Sequence, residues 1–438
     1  MMAKQGNSTA VPRLRFPEFR NAEAWKEKKL GELIETVSPP SKLPSSSYLA
    51  TGKFPIVDQS QDAICGWTDD AQALVEEPLP LIVFGDHTCA IKLVEMPFAQ
   101  GADGIKILAA KPVVAIEYLF HSLNHQPLVM EDYKRHFSVL KERRVFFPSV
   151  ESGEQQKIAD CLTSLDEVIA AQGRIVAALK KYKRGLMQQL FPREGETRPR
   201  LRFPEFRDAP EWKKLPLCDL GEIVTGKTPS TTDAERWGGD VLFITPTDIS
   251  ENNKYQRSSQ RTVVATPKLK VLPAGSITYT CIASIGKMAI TVRPSITNQQ
   301  INSVVTLPTI SNEFVYYALA NLTPWIKSIP ASSTLAIINK KDFSGIDIWI
   351  PVDSSEQKVV ADCLSSLDTQ IAAETDQLAA LKTHKQGLMQ QLFPSREVVA
   401  AWGRRSSSSP ARTAPEKPPS PVRFFPRRRS ARASSMPT

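Results

Sequence analysis

The chain is written twice, and this repeat limits its possible folds more than any other feature. "LRFPEFR" stands at 14–20 and again at 201–207, followed by Trp25 and by Trp212. A longer segment, "EQQKIADCLTSLDEVIAAQGRIVAALKKYKRGLMQQLFP", begins at Glu154. Its partner from Glu356, "EQKVVADCLSSLDTQIAAETDQLAALKTHKQGLMQQLFP", aligns with it without a gap, and 25 of the 39 positions are identical. Between the repeated pieces lie 26–150 and 213–352, whose sequences resemble each other little. The order is short motif, variable block and long segment, then all three again.

The long segments read as helices. Leu162, Leu165, Ile169, Gln172, Val176, Leu179, Lys183, Leu186 and Leu190 step by three and four, the seam spacing of a coiled coil. Leu364, Leu367, Ile371, Glu374, Leu378, Leu381, Lys385, Leu388 and Leu392 repeat it. Ser152 with Gln155 and Ser354 with Gln357 suit capping boxes. Pro192 and Pro394 end the helices, and Gly185 and Gly387 are expected to loosen the last turns. At roughly 1.5 Å per residue each helix is about 55 Å long. So long and narrow an apolar stripe needs a partner. Leu201 follows Pro192 by only nine positions, so the second block must begin near the end of the first helix. That connectivity favours antiparallel pairing of the two copies; a parallel homodimer through the same seam is the alternative.

The variable blocks read as mixed α/β. β-rich runs at 78–94, 240–249 and 275–292 alternate with Pro/Gly/Ser loops, and short helices are expected at 115–123 and 312–322. The expected class is α/β (α+β): two globular domains joined by two long helices in an antiparallel coiled coil, with pseudo-two-fold symmetry. The expected divisions are 1–150 (first block), 151–192 (helix), 193–352 (second block), 353–394 (helix) and 395–438 (tail).

The formal net charge of +9 does not by itself indicate nucleic acid. The segment from Ser395 holds ten Lys/Arg and two Asp/Glu, leaving 45 basic against 44 acidic residues in the body. Any DNA site in the folded part must therefore be a local patch. The Pro-, Ser- and Arg-rich tail has little to bury and is expected to be disordered. Six cysteines without a C-x-x-C pair argue against a zinc ribbon and suit a reducing cytoplasm. No apolar run approaches bilayer length, and the N-terminus has no apolar signal region.

With these pieces in place, the chain closely resembles the specificity subunits of type I restriction–modification enzymes. The two blocks alternating with two helices that end in "GLMQQLFP" carry the resemblance. So do "GKFPIVDQS", "LIVFGDHT", "GADGIKIL" and "YKRHFSVLKE" in the first block and "LGEIVTGKTPS", "GSITYTCIASIGKMAI" and "ITNQQINSVV" in the second. It covers about 12–394; the tail departs from it. The resemblance implies a non-catalytic DNA reader in which each block is a target-recognition domain for one half of a bipartite, asymmetric site. The helices act as spacer and dock two methyltransferase subunits, and motor/nuclease subunits complete the complex. S-adenosylmethionine, ATP and Mg²⁺ belong to those partners. No Asp/Asn-Pro-Pro-aromatic motif and no G-x-G-x-x-G loop after a strand stands in the sequence, so methyl transfer by this chain is not expected.

One motif points elsewhere. "GEIVTGKT" (221–228) fits the phosphate-loop pattern G-x-x-x-x-G-K-[ST]. A phosphate loop needs a buried strand before it and a helix after it. Pro216 and Asp219 precede it, and Pro229 with no apolar periodicity follows. The corresponding stretch from Gly31, "GELIETVSPPS", lacks Gly-Lys-Thr. A polar loop in which Lys227 meets a phosphate, and Thr228 or Ser230 a base edge or backbone oxygen, fits better. A nucleotide-binding enzyme and a coiled-coil scaffold without DNA are the competing readings.

Base edges call for amides, hydroxyls, carboxylates and guanidinium groups on loops, and phosphates for cations. In the first block these are Lys42, Ser45, Ser46, Ser47, Tyr48, Asp58, Gln59, Asp86, His87, Thr88 and Asp103, with the basic cluster Lys134, Arg135 and His136. In the second they are Lys227, Thr228, Ser230, Thr231, Trp237, Thr247, Asp248, Ser284, Lys287, Asn298, Gln299 and Gln300. His87 beside Asp86 could suggest a metal or an acid–base pair, but no further ligand stands near it in sequence, and a loop histidine is the expectation. Asp160, Asp166, Asp362 and Asp368 occupy corresponding helix positions and are expected on a solvated or subunit-facing surface. Leu186, Met187, Phe191, Leu388, Met389 and Phe393 exceed what one seam needs and are candidates for subunit contacts, with plain core packing as the alternative.

Overall fold

The computed structural model describes residues 10–102, 104–130, 135–250, 253–328 and 337–394; the tail lies outside them. The chain divides into two compact units, 1–155 with 390–438, and 156–389.

The first unit contains β1 (Lys26–Lys29), α1 (Leu30–Leu33), β2 (Ile34–Val37), β3 (Phe54–Val57), β4 (Gly66–Thr68), β5 (Leu74–Val75), β6 (Leu81–Gly85), β7 (Ile91–Val94), β8 (Phe98–Gln100), β9 (Ile105–Ala110), α2 (Ile116–His125), α3 (Phe137–Glu142) and β10 (Arg144–Phe147). Two four-stranded sheets run β2-β9-β6-β7 and β4-β3-β8-β5. The "LIVF" run is β6, buried along its whole length at the centre of the apolar cluster, as a continuous β-branched and aromatic run should be. The helix α4 (Glu154–Leu190) then leads out of this unit.

The second unit holds β11 (Lys213–Pro216), α5 (Leu217–Leu220), β12 (Gly221–Thr225), β13 (Trp237–Ile244), β14 (Tyr255–Gln256), β15 (Arg261–Val263), β16 (Ile277–Thr280), β17 (Met288–Thr291), β18 (Ser295–Thr297), β19 (Ile301–Thr306), α6 (Asn312–Ser328), α7 (Lys340–Ser344), β20 (Asp347–Ile350) and α8 (Ser354–Leu392). Its sheets run β12-β19-β16-β17-β14 and β15-β13-β18.

The blocks differ in sequence yet share a topology. Antiparallel β1–β10, β2–β9, β6–β9 and β6–β7 recur as β11–β20, β12–β19, β16–β19 and β16–β17. The parallel pair β3–β8 recurs as β13–β18. The edges differ: β5 pairs β8 only in the first block, and β14 pairs β17 only in the second. The α/β (α+β) class and the internal repeat therefore hold, and the repeat extends through the blocks. This equivalence sets Leu30–Leu33 against Leu217–Leu220. It corrects the pairing of Gly31 with Gly221, because Gly31 lies in the short helix and Gly221 in the strand.

The repeated short motif has a structural task. Arg15 donates to both Glu154 oxygens (2.7 and 2.6 Å) and to the Ala22 and Glu23 carbonyls, while Trp25 Nε1 donates to Glu154 at 3.2 Å. Arg202 and Trp212 treat Glu356 the same way, at 2.7, 2.7 and 3.0 Å. Each block thus fastens the first turn of a long helix through a buried ion pair. The same tryptophans help to seat helix ends. Trp212, Phe314 and Phe191 form one aromatic group, with centroids 5.5–6.0 Å apart. In the first unit Tyr118 lies 6.0 Å from Trp25 and 5.6 Å from Phe393.

Both long helices run unbroken through Gly185 and Gly387, and a Cβ on either glycine would meet nothing within 4 Å. The expected capping boxes do not form either. Gln155 accepts from Ala115 N–H and donates to the Pro148 carbonyl, and Gln357 accepts from Ser311 N–H and donates to the Pro351 carbonyl. These glutamines tie the helix starts to the blocks, and Asp353, not Ser354, caps α8 through Ser355 N–H.

Within the second unit α4 and α8 are antiparallel. Lys183 meets Asp368 at 2.5 Å and Lys385 meets Asp166 at 2.5 Å. These contacts correct the surface reading of Asp166 and Asp368, which are bound across the helix pair; Asp160 and Asp362 are exposed. The nine seam positions of each helix are buried or half-buried, with exposed faces between them. Among the described residues no helix is long and apolar enough to cross a membrane.

Candidate nucleic-acid interface

In each block the shared topology brings several strand ends to one edge. In the second block β12 ends opposite Asn302, β16 ends opposite Ile301, and β13 ends opposite Thr297. Loops 226–232, 245–248, 281–287 and 297–300 therefore meet. Gly226 N–H donates to the Ile301 carbonyl (3.1 Å), Asn298 N–H to the Ile244 carbonyl (3.1 Å), and Cys281 N–H to the Gln300 carbonyl (2.8 Å).

This edge collects Lys227, Thr228, Ser230, Thr231, Thr247, Asp248, Ser284, Lys287, Asn298, Gln299 and Gln300, which are scattered over more than 70 positions in sequence. Trp237 joins from the far end of β13, its indole N–H reaching the Ser230 carbonyl at 3.0 Å. Several of these residues hold one another. Thr228 donates to Gln299 Oε1 (2.6 Å), Asn298 Nδ2 to Gln300 Oε1 (2.9 Å), and Asp248 Oδ2 accepts from Thr245 N–H and hydroxyl. Lys227, Thr231 and Ser284 are exposed. An edge of oriented amides, hydroxyls and cations has the chemistry for base edges and phosphates.

The phosphate-loop motif dissolves in this geometry. Gly221–Thr225 is itself strand β12, and the only helical turn between β12 and β13 is the three-residue Ala234–Arg236. Both glycines have packing reasons instead: a Cβ on Gly221 would strike the Val305 carbonyl, and one on Gly226 the Thr297 and Asn298 carbonyls.

The first block builds the corresponding edge from loops 38–48, 58–65 and 86–90 with residues 101, 102 and 104. Ala102 N–H donates to Tyr48 Oη (2.8 Å), Thr88 Oγ1 to the Gln59 carbonyl (2.5 Å), Gly101 N–H to the Val57 carbonyl (2.9 Å), and Asp86 N–H to the Gly104 carbonyl (2.6 Å). Lys42, Ser45, Ser46, Ser47 and Arg135 are exposed there, and Tyr48, Gln59, His87 and Thr88 are half-buried. Asp103 and Lys134 lie outside the described residues.

Two residues of this group serve the fold. Asp86 is 4% and His136 is 2% exposed; the Asp86 carboxylate accepts from Phe137 N–H at 2.7 Å at the start of α3, and its carbonyl accepts from His136 N–H at 2.8 Å. Neither can face a base, which corrects their reading as DNA contacts. Asp58 is half-committed: it accepts from Ser60 N–H, and its carbonyl takes Lys92 Nζ at 2.8 Å. Burial works against its ionisation, but the Ser60 hydrogen bonds, with Cys65 and Lys92, outweigh this and lower its pKa. Burial in turn lowers Lys92 and, with Asp58 beside it, pushes the Cys65 thiol up to about 11. Among the described residues no group of three or more His, Cys, Asp or Glu could hold a metal.

The residues expected to meet other subunits are also taken. Met187, Phe191, Met389 and Phe393 are each under a tenth exposed. Phe191 and Met187 lie in the core of the second block, and Phe393 stacks on His125 at 5.4 Å. Leu186 is packed on the same core as Met187, and Leu388 is half-buried. Their apolar surface packs within the chain, as the core-packing alternative expects.

Sequence reading missed the locks at Glu154 and Glu356, although the repeated Arg and Glu were the signal. It also missed Arg261, whose guanidinium carbon lies 3.3 Å from the Trp237 ring centroid. Nothing in the sequence pattern marks that pairing.

Comparison with known proteins agrees with this architecture. Residues 210–383 match the family model of the type I restriction modification DNA specificity domain. Over 147 residues the chain is 37% identical to the HindI specificity subunit of Haemophilus influenzae, covering 32% of each chain; the match thus spans about a third of that relative. It is 24% identical over 362 residues to the EcoR124I/EcoR124II specificity subunit of Escherichia coli, covering 78% of this chain and 86% of that one. In fold it is similar to the crystal structure of the S subunit from M. genitalium, with a TM-score of 0.61 at 17% identity, covering 88% of this chain and 99% of that one. Residues 210–383 thus carry the match to the type I restriction modification DNA specificity domain, and the twice-written topology is similar in fold to a type I restriction–modification S subunit.

Proposed function

We propose that this chain is the non-catalytic DNA reader of a type I restriction–modification complex, each block binding one half of a bipartite, asymmetric site. One observation carries the reading. The same strand topology presents a polar loop edge twice, and the two edges differ in nearly every residue. Two unlike heads on a pseudo-symmetric frame call for two unlike half-sites, just as a symmetric dimer calls for a palindrome. The antiparallel helices, about 55 Å long by their rise, set the separation and offer their exposed faces to two methyltransferase subunits. Motor/nuclease subunits join in the full assembly, in the cytoplasm. S-adenosylmethionine, ATP and Mg²⁺ are held by those partners.

The test is methylation mapping by single-molecule sequencing in a host without the modification, with this chain co-expressed with its methyltransferase subunit. The expected outcome is one asymmetric two-part motif, modified only when this chain is present. A soluble complex that modifies no motif would remove the proposal.

A further inference from the structure

Within the edge of the second block, one side chain is oriented for recognition while its donors stay open. Arg261 begins β15 opposite Phe243, at the end of β13 that leads into loop 245–248. Its backbone is fixed on both sides: Gln260 N–H donates to Asp248 Oδ1 at 2.7 Å, and the Arg261 carbonyl accepts from Ser259 Oγ at 2.6 Å. The guanidinium lies against the Trp237 indole at 3.3 Å. That indole is itself held, edge-to-face on Phe243 at 5.1 Å and by its N–H to the Ser230 carbonyl.

A guanidinium laid on an aromatic face loses none of its donors, because all five N–H groups point outward in its plane. Stacking fixes that plane. Among the described residues no carboxylate pairs with Arg261 and no acceptor takes its N–H groups, and the residue is exposed. Its neighbours on the edge are bonded to one another: Thr228 to Gln299, Asn298 to Gln300, Asp248 to Thr245. A phosphate needs only a nearby cation, which exposed Lys227 supplies on the adjacent loop. A fixed planar fork is instead what two acceptors in one plane require, and guanine presents such a pair, O6 and N7, in the major groove.

We infer that Arg261, held flat by Trp237, reads a guanine in the half-site bound by the second block. The inference rests on the DNA-reading function proposed above and adds to it a base, a half-site and a residue.

The experiment is methylation mapping with the full chain and its methyltransferase subunit, comparing the wild type with Arg261→Lys and Arg261→Ala. Arg261→Lys keeps the charge and loses the fork. Both variants are expected to relax one G·C position in one half-site, with discrimination there falling roughly ten- to hundredfold, the scale of one bidentate base contact. The other half-site stays as in the wild type. An unchanged motif with only a lower extent of modification would overturn the assignment, as would relaxation by Arg261→Ala that Arg261→Lys fully restores. If a variant modifies nothing, the assembled complex is bound to duplexes carrying the wild-type motif and its single-base-pair variants; full discrimination retained at every position overturns it too. A wild type that modifies no motif sinks the DNA-reading function itself, a result distinct from any of these.

Discussion

Gln172 donates its side-chain amide to the Glu374 carboxylate at 2.5 Å and to the Glu374 carbonyl at 3.1 Å. The two residues lie 202 positions apart, the same offset that separates Lys183 from Lys385 and Asp166 from Asp368. Each is therefore the other's counterpart in the repeat, and a contact between counterparts places the pair beside the pseudo-two-fold axis. The ion pairs Lys183–Asp368 and Lys385–Asp166 then follow as symmetry mates. This central polar pair is the one place where the two seams differ in charge, Gln against Glu, so the two helices are not interchangeable at the axis of their pairing.

Gln172→Leu is expected to leave the half-buried Glu374 carboxylate without its donor and to cost about 1–3 kcal/mol. The double variant with Glu374→Leu makes an apolar seam and is expected to recover most or all of that loss. Urea unfolding midpoints of the wild type and the two variants measure it. Equal stability of Gln172→Leu and the wild type would show that the contact contributes nothing.

The locks at the helix starts should matter more. Glu356 is 1% and Arg202 is 8% exposed at the side chain, and Glu154 and Arg15 are at 0% and 7%. Removing one partner strands a buried charge. Glu356→Gln keeps the shape and removes the charge, and is expected to destabilise by about 3 kcal/mol. Because the pair is shielded from solvent, the loss should persist in high salt. Thermal unfolding at low and high salt tests this; a loss that vanishes in salt would mean that the pair is solvated.

How much of this was legible in the sequence depends on the range of the signal. The helices, their seam and their antiparallel sense could be read because an apolar period and a short connector are local facts. The topology shared by the blocks could not, since Ile223 and Ile34 reach matching sheets through different side chains and only backbone pairing reveals it. At the candidate interface, residue type found the polar loops, and the strand ends brought most of them together. It misjudged Asp86 and His136 because a buried helix start uses the same polar groups that a base edge would. It passed over Arg261 because a stack on Trp237 leaves no trace in spacing.

Glu313 gives a pH prediction. Burial opposes its ionisation, but hydrogen bonds from Tyr255, Ser365 and Lys254 outweigh it and hold the carboxyl below its ordinary range. A carboxyl depressed by folding contributes stability that is present above its unfolded value and is lost as pH falls through the folded one. The stability gap between wild type and Glu313→Gln should therefore be full at neutral pH and shrink below about pH 4.3, the ordinary value for a glutamate in an unfolded chain. Lys254, whose side chain is 7% exposed, loses its ion-pair partner in the variant, so the gap at neutral pH favours the wild type. Melting temperatures of the two proteins across this range are the measurement. A constant gap would mean that Glu313 is not the group being titrated.

Lys227 and Arg261 should fail in different ways. Lys227 is exposed on the loop beside Thr228 and Gln299, with no stacking partner among the described residues to fix its direction, so it suits a phosphate and not a base. Each phosphate neutralised adds a slope of about 0.9 to the dependence of log affinity on log salt. Lys227→Ala in the complex with methyltransferase subunits is expected to weaken binding to about the same degree on every duplex and to flatten that slope by about one phosphate. Titration of one duplex carrying the motif at several salt concentrations, and of its single-base-pair variants at one, separates the outcomes. A relaxed motif with an unchanged slope would make Lys227 a base reader and leave the phosphate contact to another cation on the edge, with Lys287 the nearest candidate in type.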